Sequence, residues 1–265
     1  MAIPKIIHYC WFGGNILPDK VQKCIESWKR YCPDYKIICW NESNYDVNKI
    51  RYTKEAYKEK KWAFVSDYAR LDIIYENGGI YLDTDVELIC GMDILLQNDV
   101  FLAIDKERML VNTGLGFGAV PNSELINNLK QAYEEVSFYT DGGRINTKAC
   151  TYYVTEKLEL YGYKRSDVMQ EVAGACILPS SYFCPMDYSD GSLAIKAETI
   201  GIHWYDMSWF SNEDKHLHNM EIKLKRRFPE RTAAVLAKVY RNGYRLVEYS
   251  KKGILFRKIW EKLKK

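Results

Sequence analysis

Between Trp62 and Leu88 the chain reads WAFVSDYARLDIIYENGGIYLDTDVEL, and no other stretch limits the possible folds as strongly. Residues 62–77 have the period of a helix, yet the neighbours of Asp67 and Arg70 are mainly apolar. A helix without a clear polar face is predicted to be largely buried. Gly78-Gly79 follows, as expected just past a helix C-terminus. The segment 80–88 then reads as a strand, apolar at its start and acidic at its end. Upstream, residues 4–12 (PKIIHYCWF) suit a buried strand closed by Gly13-Gly14. Residues 18–31 carry Val21, Cys24, Ile25 and Trp28 at helical spacing, and 35–40 (YKIICW) suit a second strand. This strand–helix–strand order predicts an α/β fold, a parallel sheet covered by helices.

Farther along, VFLAI at 100–104 reads as a strand, 111–120 is rich in glycine, and 122–137 suits a helix with Ser123 near its start. Short strands and loops are expected at 176–185 and 193–205. With 265 residues the chain is long enough to fold without a disulfide or metal staple. Its 47% hydrophobic and 28% charged fractions exclude a disordered chain, a collagen and a small secreted knot. No run of 18 apolar residues exists, so no membrane-spanning helix is expected. The first residues read as a strand and not as a signal peptide. The eight cysteines form no C-x-x-C pair and are expected to be reduced thiols, which predicts a cytoplasmic protein without structural zinc.

The formal net charge of +3 conceals an asymmetry. Residues 221–265 hold 15 Lys and Arg against 4 Asp and Glu, a net of +11. The other 220 residues hold 23 against 31, a net of −8. Two domains are therefore expected, an acidic body over 1–220 and a basic helical extension over 221–265. Within the extension, Leu255, Phe256, Ile259, Trp260 and Leu263 fall on one helical face flanked by lysines. That pattern suits either packing on the body or an anionic membrane surface approached through 244–265. An acidic body argues against nucleic acid as a partner.

Asp83-Thr84-Asp85 ends the predicted acidic strand. Open α/β sheets bind ligands at the carboxyl ends of their strands. Two carboxylates one residue apart there can share a hard divalent cation, Mg²⁺ or Mn²⁺. Asp67 and Arg70 lie three apart on the preceding helix and share a face.

With these residues in view, IPKIIHYCWFGG followed by SDYARLDIIYENGGIYLDTDVE resembles the D-x-D family of sugar transferases. The family includes yeast mannosyltransferases, bacterial capsular-polysaccharide transferases and, more distantly, the catalytic domains of large clostridial glucosylating toxins. The resemblance covers residues 3–90 and returns at His203–Trp209. It implies a GT-A, Rossmann-like fold, a nucleotide-sugar donor, a divalent metal and retention of anomeric configuration. It also implies roles for individual residues. Trp11 would stack on the nucleotide base. Ser66, Asp67 and Arg70 would hold the ribose and donor sugar. Tyr81 and Asp83 would contact sugar and ribose, and Asn112 the sugar. Asp83, Asp85 and His203 would ligate the metal, and Ser208 and Trp209 would donate hydrogen bonds to the diphosphate. The likeness to the toxins favours UDP as the base carrier. The implied acceptor is a saccharide or a lipid-linked oligosaccharide of a bacterial surface polysaccharide, at the inner face of a membrane. Relatives often carry T-G-P before a helix, roughly where this chain reads Thr140-Asp141-Gly142-Gly143 or Asn146-Thr147-Lys148, so no acceptor residue is assigned in 140–185.

Two other readings compete. One is a nucleotide-sugar-binding or scaffold protein without activity. The other is a phosphohydrolase of the haloacid-dehalogenase type, which wants Thr or Val two residues past the second Asp, where this chain has Glu87.

Overall fold

The computed structural model describes residues 2–206 and 212–251. The chain forms two compact units, Met1–Asp187 with Leu193–Trp209, and Tyr188–Ser192 with Phe210–Lys265.

The first unit is built on one mixed sheet. Its strands are β1 (Ile6–Cys10), β2 (Lys36–Trp40), β3 (Gly79–Tyr81), β5 (Val100–Asp105), β6 (Leu110–Val111), β7 (Phe117–Ala119), β8 (Gln170–Val172) and β9 (Ala175–Leu178). The order is β2-β1-β3-β7-β5-β9-β8, with β6 paired to β5. β1 runs parallel to β2 and β3, and β9 parallel to β5. β7 is inserted antiparallel between β3 and β5. The α/β class is the one that the alternation of strands and helices predicts, but the sheet is mixed and not the parallel one expected, because β7 runs antiparallel to both of its neighbours. Its helices are α1 (Asp19–Tyr31), α2 (Arg51–Lys58), α3 (Trp62–Asn77), α4 (Glu124–Gln131) and α5 (Cys150–Leu160). The helix read at 122–137 stops at Gln131; it starts where expected, with Ser123 as N-cap accepting the Ile126 N–H.

Side chains alternate between two cores. Val100, Leu102 and Ile104 of β5 join the core that contains α3, α4 and α5. Phe101 and Ala103 join the opposite core, with Trp28 of α1. Residues 65–74 of α3 are all buried, which is why the helix shows no polar stripe in sequence. Its charged members have partners. Asp72 is held by Lys49 at 2.7 Å and Lys130 at 3.2 Å. Gly78 (φ 65°) and Gly79 (φ 97°) then turn the chain into β3, in a conformation that side chains disfavour.

The strand expected over 80–88 is two strands. β3 stops at Tyr81, and β4 (Val86–Leu88) pairs antiparallel with β10 (Gly201–His203) in a separate small sheet. Asp83 and Asp85 lie in the turn between them, closed by the Val86 N–H on the Asp83 carbonyl at 3.1 Å. Trp28 fixes β4 from below, its indole N–H donating to the Val86 carbonyl at 2.8 Å.

In the second unit, α6 (Asn212–Arg227) and α7 (Glu230–Lys251) pack on each other, with His216 Nε2 and the Tyr240 hydroxyl 2.8 Å apart. The boundary expected after residue 220 lies inside α6, so this unit takes in more than the basic extension. The apolar face at 255–263 lies outside the described residues. Among the described residues no helix is long and apolar enough to cross a membrane. The eight cysteines are free thiols.

Candidate functional site

The parallel strands β1, β2 and β3 end at one edge of the sheet, and β7 begins there because it runs the other way. Trp11, the turn Leu82–Asp85 and the glycine-rich segment 112–116 therefore share that edge, and α3 brings Asp67 and Arg70 to it.

Arg70 is the hub. It is buried, with Nη2 3.0 Å from Asp67 Oδ1 and Nη1 3.3 Å from Asp83 Oδ2. Its Nε donates to the Ser66 carbonyl at 3.0 Å, and the guanidinium lies over the Tyr81 ring, 5.0 Å from the centroid. The Tyr81 hydroxyl donates to Asp83 Oδ1 at 3.0 Å. Asp83 is thus held from two sides by donors. Burial pushes the Asp67 carboxyl up to about 6 in spite of Arg70, with Asp83 adding to the rise. Burial likewise raises Asp83, helped by Asp85 and opposed by Arg70.

Asp85 faces the other way. Its Oδ1 is 3.2 Å from His203 Nε2, and its Oδ2 accepts the Asp206 N–H at 2.9 Å. Burial alone would raise this carboxyl, but His203 and the backbone donor hold it at about 2. His203 is buried, and Asp85 lifts its titration against the effect of burial.

Among the described residues, Asp83, Asp85 and His203 each offer one ligand atom, all within 4.8 Å of one another. Two carboxylates and an imidazole suit Mn²⁺ or Mg²⁺. Two further observations fit an ion there. Asp85 raises the cost of charge on Asp83, which a divalent cation would offset. His203 Nδ1 is buried with no hydrogen-bond partner.

The structure brings Asp67, Arg70, Tyr81 and Asp83 into one set of contacts and Asp85 and His203 into another, with ligand atoms of Asp83, Asp85 and His203 within 4.8 Å of one another. Trp11 stands on the same sheet edge, its indole N–H donating to the Asn15 carbonyl at 2.7 Å. The Ser66 hydroxyl points back at the carbonyls of Trp62 and Ala63, at 3.1 and 2.9 Å, so in this state it binds its own helix. Asn112 shapes the glycine-rich turn, its Oδ1 accepting the Gly114 N–H at 2.8 Å. Ser208 and Trp209 lie outside the described residues.

Gly114 is a site residue that the sequence reading missed. A Cβ there would fall 2.2 Å from Asp83 Oδ2. The only signal was the density of glycine in 111–120, which does not say which glycine matters.

A D-x-D turn thus stands at the carboxyl edge of an α/β sheet, beside a buried Asp–Arg pair. Residues 18–102 match the family described as "Glycosyltransferase sugar-binding region containing DXD motif". The chain is similar to inositol phosphoceramide mannosyltransferase 3 of Schizosaccharomyces pombe, 30% identical over 124 residues, which are 44% of this chain and 33% of that protein. It is similar to inositol phosphoceramide mannosyltransferase 1 of the same yeast, 30% identical over 116 residues, 40% of this chain and 35% of that protein. The chain thus spans about a third of the length of the curated relatives it matches. A solved structure titled PaToxG glycosyltransferase aligns with 60% of this chain and 70% of its own, at a TM-score of 0.48 and 17% identity.

Proposed function

We propose that the protein is a metal-dependent, retaining hexosyltransferase. It moves a sugar from a nucleotide-sugar donor, UDP-linked by preference, to a saccharide or lipid-linked oligosaccharide in the making of a surface polysaccharide, a capsule or lipopolysaccharide. One observation carries this reading. Asp83 belongs at once to the cation cluster with Asp85 and His203 and, through Arg70, to the charged pair with Asp67. A site for a leaving diphosphate and a site for a sugar therefore share a residue.

Asp83, Asp85 and His203 would hold Mn²⁺ or Mg²⁺, which supplies a Lewis acid for the negative charge growing on the leaving diphosphate. Asp67 accepts from and Arg70 donates to sugar hydroxyls, so the ring is held and the acceptor meets one face. Tyr81 keeps Asp83 oriented through its hydroxyl. Ser208 and Trp209 donate to the diphosphate, a role that rests on the resemblance alone. Retention follows from attack on the face the diphosphate leaves, with the leaving phosphate oxygen taking the acceptor's proton.

The names of the yeast relatives carry a lipid acceptor, inositol phosphoceramide, and mannose as the transferred sugar. They support a lipid-linked acceptor and make GDP-mannose a necessary arm of any donor screen. The net charge of +11 over 221–265 supports a cytoplasmic enzyme working at the inner face of an anionic membrane through 244–265. Deletion of 244–265 should weaken binding to anionic liposomes.

The test is nucleoside diphosphate release from UDP-glucose, UDP-galactose, UDP-N-acetylhexosamines and GDP-mannose, with Mn²⁺ or with EDTA. Slow, metal-dependent release from a nucleotide sugar is expected. Donor binding without release or transfer would return the protein to the inactive binding class. Phosphate release from simple esters would make it a phosphohydrolase.

A further inference from the structure

We infer that Tyr205 is a positioning residue that preforms the cation site, by holding residues 203–206 wrapped around Asp85. The inference rests on the metal-dependent reading above and adds a residue to it.

Three contacts reach Asp85 from one short segment. His203 Nε2 lies 3.2 Å from Oδ1, the Trp204 N–H donates to the Asp85 carbonyl at 2.9 Å, and the Asp206 N–H donates to Oδ2 at 2.9 Å. An extended chain cannot do this, because successive residues point to opposite sides. The segment succeeds because Tyr205, between Trp204 and Asp206, takes a left-handed backbone conformation with φ 49°. Non-glycine residues enter that region rarely and stay there only when their surroundings hold them.

The surroundings of Tyr205 do so at both ends of its side chain. The ring packs edge-on against His203, with centroids 4.3 Å apart and planes at 78°. The hydroxyl donates to Asp105 Oδ2 at 3.0 Å, which leaves its oxygen to accept the Cys184 thiol at 2.8 Å. Asp105 ends β5 of the central sheet, whereas His203 ends β10 of the small sheet. Tyr205 therefore ties the imidazole to the rigid sheet through one aromatic contact and one carboxylate. Groups outside the ligand set fix ring orientation in metal sites, and loss of a hydrogen-bonded one typically lowers affinity by about 10–100-fold; Tyr205 does so by packing on the ring.

The experiment is Mn²⁺ binding to the full chain, read by electron paramagnetic resonance of free Mn²⁺, with no substrate or turnover. Tyr205→Phe keeps the ring and removes the tie to Asp105. It should bind Mn²⁺ about 10-fold more weakly than wild type while still unfolding cooperatively. Asp105→Ala should also weaken binding, and the double variant should lose less than the sum of the two, because both changes cut the Tyr205–Asp105 link. Asp105→Asn retains an acceptor oxygen and should bind within about twofold of wild type. Wild-type affinity in both Tyr205→Phe and Asp105→Ala would overturn the inference while leaving the metal site standing. Failure of the wild-type chain to bind Mn²⁺ would overturn the metal reading and this inference with it. Should Tyr205→Phe fail to fold, the contrast between Asp105→Ala and Asp105→Asn decides the matter by itself.

Discussion

Arg70 Nη2 and Asp67 Oδ1 are 3.0 Å apart, and both side chains are buried. The same guanidinium reaches Asp83, so one cation compensates two carboxylates. Removing it strands both in a low-dielectric site. Arg70→Ala is expected to destabilise the fold by about 3–5 kcal/mol. Part of that loss should return at pH 5.5, since Asp67, already lifted to about 6, can then take a proton. Arg70→Lys keeps the charge without the planar fork, and should retain more stability while losing nucleoside diphosphate release. Urea denaturation at pH 7.5 and 5.5 measures the first effect. Wild-type stability in Arg70→Ala would show that the pair is not what holds the two carboxylates.

Gly114 supplies a second lever on Asp83. Its missing side chain is the space that Asp83 Oδ2 occupies, and its carbonyl accepts the Asp83 N–H at 3.1 Å. Gly114→Ala must displace the carboxylate or the turn, at a cost of about 1–3 kcal/mol. Diphosphate release should fall further than the folded fraction does. Gly142 is the control, since a Cβ there meets nothing within 4 Å. Gly142→Ala should behave as wild type in both assays, and equal losses at the two glycines would defeat the argument.

These residues also mark how far the sequence could be read. Helix α3 was legible to its ends, because a helix with no polar face has one physical explanation, burial. The break after β3 was not. Ile80, Leu82, Val86 and Leu88 all enter the same core, so the two-residue period runs across the turn at Asp83–Asp85 as if the strand continued. His203 was found through resemblance. Tyr205 was not, since its partner Asp105 lies 100 positions away and no local pattern links them. Gly114 was visible only as one glycine among several.

Asp85 is the direct test of the cation site. Held at about 2, it is ionised at any working pH and has no proton to lose when a cation arrives. Mn²⁺ should stabilise the wild-type protein by mass action, by about 2.7 kcal/mol at a concentration 100 times the Kd, and so raise its melting temperature. Asp85→Asn removes the charge and retains the volume. Its Mn²⁺-dependent shift should vanish, with the metal-free protein still melting cooperatively. A shift of undiminished size in Asp85→Asn would remove Asp85 from the ligand set.

His8 gives the fold a pH dependence that is separate from the cation site. The ring is fully buried in β1, with Nε2–H donating to the Gly78 carbonyl at 3.0 Å and Nδ1 accepting the Trp40 indole N–H at 3.0 Å. A second proton would have to sit on Nδ1, against the Trp40 donor. Burial lowers the titration of His8 from 6.5 to about 4. Between these values the unfolded chain takes up a proton that the folded protein refuses, so stability falls as pH falls. The contribution is complete above 6.5 and lost progressively down to about 4, a total of about 3 kcal/mol. His8→Gln retains an amide that can donate to Gly78 and does not titrate. Urea midpoints taken from pH 7.5 to 4.5 should decline more steeply for wild type than for His8→Gln, with the difference confined to pH below about 6.5. Parallel curves across that window would mean that His8 is protonated in the fold, and that the Trp40 hydrogen bond is absent.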